Sequence, residues 1–133
     1  MATTCPTLWT ALGASCYRLI PGSATILGCT ERCGAGASLA CITSAEENAQ
    51  LASFTKGRAA WIGNYQVPGS AEPDGGWTAC SSGEVTNFTS WLDAGSYKWP
   101  TNSGPGVGCA VMTSRGNAGT APGAWVDESC AHA

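Results

Sequence analysis

Residues 44–63, SAEENAQLASFTKGRAAWIG, hold a helix and a buried strand back to back. Ser44-Ala45-Glu46-Glu47 has the form of a capping box, with Ser44 as N-cap and Glu47 at the third helical position. Leu51 and Phe54 supply the buried face, and Gly57 marks the stop. Ala59-Ala60-Trp61-Ile62-Gly63 then reads as a buried strand. Towards the N-terminus, Cys16 to Ile20 has the spacing of a short strand, closed by Pro21 and Gly22. Ser23 is placed to cap a helix running to about Cys33, with Ile26, Cys29 and Cys33 at helical spacing and glycines at 34 and 36 to end it. Towards the C-terminus, Asn64 to Gly108 shows no helical period and is dominated by Gly, Pro, Ser, Thr and Asn. Loops this long usually carry function. Cys109 to Met112 and Ala124 to Val126 read as closing strands. Strands segregated from helices in this way indicate an α+β architecture, and no repeat or linker divides residues 1–133, so one domain is expected.

Only 11% of the 133 residues are charged, and 18 Gly and 7 Pro make the chain loop-rich, with a surface polar through Ser, Thr and Asn. The net charge is −3 without a basic run. Phosphate backbones need clustered Lys and Arg, so this balance argues against nucleic acid as a partner. No apolar run reaches the ~18 residues of a membrane span, so direct membrane insertion is not expected. The first residues lack the basic and apolar regions of a signal peptide.

Eight cysteines bear on the compartment. An even, high count in a small chain reads as a disulfide framework, stable where thiols are oxidised. Zinc sites show C-x2-C pairs or Cys/His clusters, whereas here the closest pair is Cys29 and Cys33, and the one histidine is His132. Disulfides and an extracellular or cell-surface setting are therefore expected, and an oxidised chain with no export signal reads as a mature segment of a longer precursor.

Taken in order, these motifs resemble a C-type lectin-like domain of the long form. Cys5-Pro6-x-x-Trp9 with Cys16-Tyr17 is similar to that family's opening hairpin. Cys33, Leu39, Ile42, Ser44 and Glu47 correspond to its first helix and the start of its second, and Trp61-Ile62-Gly63 to its core strand. Phe88-x-x-Trp91 corresponds to the long-loop anchor, and Cys109-Ala-Val-Met112 with Trp125-x-Asp127-x-x-Cys130 to the last strands. The resemblance implies a double-looped fold, two helices flanking small antiparallel sheets with a long irregular ligand loop. It also implies the pairs Cys5–Cys16 and Cys109–Cys130. In the family the Cys33 position pairs with a cysteine in a final strand beyond Cys130, which is absent here. Cys29, Cys33, Cys41 and Cys80 are left to place. A Cys29–Cys33 bridge within one helical turn would be strained, so Cys33 is expected to pair with Cys41 or with Cys80. A missing strand would leave a sheet edge open, and its expected cover is a neighbouring copy, by self-association, or the N-terminal strand.

Sugar-binding members of that family hold calcium through a Glu-Pro-Asn or Gln-Pro-Asp triplet, a Glu near the third-strand cysteine and a Trp-Asn-Asp triplet. Here the first triplet aligns with Trp99-Pro100-Thr101, the acidic position with Val107 and Gly108, and the last with Trp125-Val126-Asp127. By the resemblance Pro100 is expected to keep the family's cis bend, and Asp127 remains as a carboxylate, with Asn102 as a displaced amide. Calcium takes about six to eight oxygens, so no calcium is expected at this site. Tyr97, Lys98 and Trp99 at the loop tip, with Asn102 beside them, offer an aromatic platform for a sugar ring or a protein hot spot. The alternative for Trp99 is burial under its own loop. Trp61, Trp91 and Trp125 are expected in the core, Trp77 is open, and Glu72 and Asp74 around Pro73 read as solvated turn residues rather than an acidic site. Asn87-Phe88-Thr89 is a glycosylation sequon.

Enzymatic chemistry finds no footing. A nucleophile needs a positioned base, and His132 lies in a terminal segment. Glu46 and Glu47 are explained by capping, and Asp127 and Glu128 point to opposite sides of a strand. The expected function is calcium-independent recognition of carbohydrate through the long loop; the alternative is a protein-interaction or assembly module. A third use known in the family, ice or mineral-surface binding, requires a regular Thr/Asn spacing that the loop does not show.

Overall fold

The computed structural model describes residues 4–20, 22, 25–34, 36–56, 58–93, 99–101, 108–113 and 123–130. The chain opens with a hairpin of β1 (Thr10–Leu12) and β2 (Ser15–Tyr17). Leu12 pairs with Ser15, which leaves a two-residue turn, and Gly13 supplies its positive φ of 62°. The Cys5–Cys16 disulfide closes the hairpin. The expected strand over 16–20 is thus shorter and shifted towards the turn.

Helix α1 (Ile26–Cys33) begins at Thr25, whose hydroxyl accepts a hydrogen bond from the Gly28 N–H at 3.2 Å. Thr25 therefore does the capping expected of Ser23, which lies outside the described residues. Helix α2 (Ala45–Thr55) starts as its sequence dictates, with the Glu47 N–H donating to Ser44 Oγ at 3.1 Å. The return arm of the capping box is displaced by one residue: Glu47 Oε1 accepts from the Thr43 N–H at 2.8 Å, not from that of Ser44. At the far end Lys56 takes the left-handed conformation, φ 53°, as C-cap; Gly57, the expected stop, is outside the described residues.

The main sheet is antiparallel, in the order β4 (Ala79–Cys80), β3 (Ala60–Tyr65), β5 (Cys109–Met112), β6 (Trp125–Glu128). β5 coincides with the expected strand, β3 and β6 run two residues further, and β4 has no alternating pattern to announce it. Ile42, Leu51, Ala52, Ile62, Trp77, Ala110, Met112 and Trp125 form the core between α2 and this sheet. The segment before α2 lies against β3 at very short range. The Gly63 N–H donates to Ala40 O at 2.7 Å, and a Cβ on Gly63 would stand 2.8 Å from Leu39 O. Beside it the fully buried Asn64 side chain accepts from the Ile42 N–H and donates to Ile42 O, both at 3.0 Å. One amide thus replaces a missing rung of backbone pairing, which leaves no orphaned backbone group there.

The disulfides are Cys5–Cys16, Cys41–Cys80 and Cys109–Cys130, and Cys29 and Cys33 are free. This corrects the expected pairing of Cys33 with Cys41 or Cys80. Cys80 on β4 is paired in register with Asn64, whose side chain holds Ile42, so Cys41 is the cysteine brought to it. The cover expected for an open edge is also corrected in part. The N-terminal strand pairs within its own hairpin, and the outer edge of β6 is met by residues 90–92 of the same chain. There the Trp125 N–H donates to Ser90 O at 2.7 Å, and the Leu92 N–H to Trp125 O at 2.8 Å.

The hairpin is tied to α2 by the Tyr17 hydroxyl, which donates to Glu47 Oε2. Burial, the hydrogen bond to Glu47 and its charge together push the Tyr17 phenol up to about 12. A phenol raised in the folded state stabilises fully below its unfolded value of ~10 and loses that contribution as pH rises towards 12. Tyr17→Phe should accordingly be less stable than the parent at pH 8. The gap should narrow in denaturant titrations repeated towards pH 11, and a constant gap would contradict the assignment.

Candidate ligand site in the long loop

The long loop leaves β3 at Gln66. Its first part closes on itself: the Val67 N–H donates to Gly76 O at 2.8 Å, and the Gln66 amide donates to Glu72 Oε1 at 2.5 Å and to Gly75 O at 2.9 Å. Glu72 and Asp74 are exposed turn residues, as expected, and the Glu72–Pro73 peptide is cis. Trp77, left open by the sequence, is core: it is 3% exposed and its indole N–H donates to Pro73 O at 3.2 Å.

Four aromatic rings then carry the loop onto the sheet. Trp77 meets Trp91 edge to face at a centroid distance of 4.5 Å, and Trp125 meets both Trp91 and Phe88 at 5.7 Å. Such T-shaped pairs contribute about 0.5–1.5 kcal/mol each beyond burial. Asn48, on the buried stripe of α2, anchors the cluster. Its carbonyl accepts from the Trp125 indole N–H at 2.8 Å, and its amide donates to Gly123 O at 3.0 Å. The sequence reading passed over Asn48. The signal was present: it shares a helical face with Leu51, Ala52 and Thr55, and a polar residue on an apolar stripe needs partners.

On this base sit the triplet and its carboxylate. The Trp99 N–H donates to Leu92 O at 3.0 Å, Trp99 is half-buried, and Pro100 is buried after a cis peptide. The Thr101 N–H donates to Asp127 Oδ1 at 2.9 Å, and the Thr101 hydroxyl lies 3.2 and 3.1 Å from Oδ1 and Oδ2. Asp127 is 7% exposed on β6. Burial pushes its carboxyl up, and the two Thr101 donors pull it back. Trp99, Pro100 and Asp127 are therefore brought together, with Thr101 as the link. Tyr97, Lys98 and Asn102 lie outside the described residues. Asn87 is exposed beside the half-buried Phe88.

Among the described residues this donor set falls short of what calcium needs. Both Asp127 oxygens already face Thr101 donors, and the neighbouring positions carry an indole, a hydroxyl and a valine where a hard cation needs about six to eight oxygens. Among the described residues no three His, Cys, Asp or Glu side chains come together. A cavity of about 700 Å³ lies elsewhere, between the hairpin, α2 and the start of β3, with Cys33 in its wall. Among the described residues no helix is long and apolar enough to cross a membrane.

Comparison with known proteins places this geometry. No curated protein sequence matches the chain. Among solved structures, an EPNH mutant of CEL-I is similar at 25% identity with a TM-score of 0.75, over 97% of this chain and 91% of that one. The C-type carbohydrate-recognition domain of cow CD23, determined in the presence of a GlcNAc2Man3 oligosaccharide, is similar at 22% identity and a TM-score of 0.76, over 98% and 89%. A calcium-independent type II antifreeze protein is similar at 21% identity and a TM-score of 0.75, also over 98% and 89%. The sequence profile described as Lectin C-type domain matches residues 24–133. The two helices, small antiparallel sheets and anchored long loop agree with that match, and the chain belongs to the C-type lectin domain family.

Proposed function

We propose that this chain is an extracellular, non-enzymatic binding module that recognises carbohydrate through its long loop without calcium. The observation that carries the reading is the closure of Thr101 on Asp127. The carboxylate that would serve a cation instead fixes the cis-proline triplet, and so positions the half-buried Trp99 ring. An indole held on a rigid base suits the C–H face of a sugar ring. Tyr97 and Asn102, flanking it in sequence, would add a second ring and a hydrogen-bonding amide. Asp127 acts through Thr101 as a positioning residue. The same fold includes a domain studied with an oligosaccharide and a calcium-independent antifreeze protein, so it accommodates either ligand chemistry.

A glycan array run with and without a chelator tests this. Binding should be the same in both arms, and Trp99→Ala should lower affinity about tenfold, the worth of one stacking contact, without lowering Tm. Loss of binding with chelator, or a collapse of Tm in Trp99→Ala, would overturn the reading.

A second reading, an assembly module, is favoured by one observation. Cys29 and Cys33 remain free in a chain with three disulfides, and Cys33 opens on the 700 Å³ groove beneath β2. A silent array together with concentration-dependent, thiol-sensitive association in solution would support it.

A further inference from the structure

Three of the chain's six basic side chains, Arg18, Lys56 and Arg58, line one cavity of about 450 Å³, together with Leu8, Leu19 and Phe54. Arg18 follows β2, while Lys56 and Arg58 follow the end of α2, so hairpin and helix must dock before the three cations converge. All nine Asp and Glu side chains lie in described residues, and none of these forms an ion pair with any of the three. In a protein of net charge −3, three exposed and unneutralised cations around one hollow are a concentrated positive field on a negative molecule.

The backbone points to the same place. Among the described residues, Leu8 (φ 75°) and Lys56 (φ 53°) are the non-glycine positions in the left-handed region, and both line this cavity. L-residues adopt that region at a cost, and strained positions gather at ligand sites. Lys56 is the sharper case. A left-handed helix C-cap usually carries Gly or Asn; here it is a lysine whose backbone N–H closes the helix on Ser53 O at 3.2 Å, while its ammonium has no ion pair with a described carboxylate. Leu8 is held outward at 72% exposure, where it forms an apolar wall.

We propose that this cavity binds an acidic saccharide, with its sulfate or carboxylate groups on Arg18, Lys56 and Arg58 and its ring against Leu8, Leu19 and Phe54. Fixed cations with an apolar wall suit a charged pyranose, whose C–H face is apolar. A long phosphate backbone would need more clustered cations than these three, and the chain has no basic run. The site stands apart from the long-loop reading: it lies before the start of β3, and the loop leaves from the other end of that strand.

The test measures retention on immobilised dextran sulfate, on a polyuronate and on neutral dextran. The two acidic polymers should bind, and their comparison separates sulfate from carboxylate; neutral dextran should not. Arg58→Ala and Lys56→Gly should each weaken binding about fivefold, the worth of one exposed charge contact, while Arg32→Ala, a cation outside the cavity, should not. Lys56→Gly is decisive, since glycine fits the left-handed cap: binding should fall while Tm holds or rises. Equal losses in Arg32→Ala and Arg58→Ala would reduce the effect to net charge and overturn the proposal. So would retention by neutral dextran, or a loss in Trp99→Ala as large as in Arg58→Ala. A silent array of neutral glycans would count against the long-loop reading alone.

Discussion

Asn48→Asp should destabilise the protein by about 3–5 kcal/mol at pH 7, the size expected when a charge is buried without a countercharge. The substitution keeps shape and volume, so packing is not the issue. One new carboxylate oxygen still accepts from the Trp125 indole, as Asn48 does at 2.8 Å. The other is turned towards Gly123 O, which now receives an N–H at 3.0 Å and would face a negative oxygen instead. A Cβ on Gly123 would meet the Ala52 Cβ at 3.0 Å, so this backbone is packed too closely against α2 to step aside. Protonation restores a donor, so the folded state holds the proton more tightly than the unfolded chain and the carboxyl is raised above its usual value near ~4. The penalty is therefore full above that raised value and shrinks as pH falls through it. Denaturant midpoints for parent and variant at pH 7 and pH 4 should show the gap closing on acidification. A gap independent of pH, or under ~1 kcal/mol at neutrality, would mean that Asn48 does not hold the aromatic cluster as described.

What was legible in the sequence follows from which contacts are local. The Ser44 cap, the α2 stripe and the two strands at 60 and 109 could be read because their signals lie within a few residues of one another. β4 could not: two residues carry no period, and they form a strand through pairing with Asn64 and Tyr65. Nor could the partner of Cys41, since three pairings of four cysteines look alike until the chain is folded. Within the candidate site, Trp99, Pro100 and Asp127 were legible by resemblance. Thr101 was not, because no neighbouring residue in the sequence marks its hydroxyl and N–H as donors. Its value as a donor to Asp127 arises from a contact across 26 positions. The basic trio was invisible for the same reason, as Arg18 is 38 positions from Lys56.

Those long-range contacts are also where the disulfides act most strongly, and Cys41–Cys80 should matter most of the three. It closes a loop of 39 positions, against 11 and 21 for the others. Loop-closure entropy assigns it about 4 kcal/mol, and about 3 kcal/mol to each of the other two. The bridge spans the place where the segment before α2 lies on β3, and both sulfurs belong to residues under 10% exposed. Backbone pairing there is sparse: one bond from Gly63 to Ala40, and the Asn64 amide standing in for a further rung. Opening the bridge lets the 39–42 segment lift, which exposes Ile42 and strands the Asn64 amide, so the native-state losses add to the entropic one. The double variant Cys41→Ser/Cys80→Ser should therefore lose more stability in denaturant titrations than Cys5→Ser/Cys16→Ser. Asn64→Ala should cost far less in that background than in the parent, because both act on one contact. Equal losses from the two double variants, or full additivity with Asn64→Ala, would show that Ile42 is held by core packing alone. In that case the clamp between Cys41, Gly63 and Asn64 would not be the feature that fixes α2, and through Asn48 the loop, against the sheet.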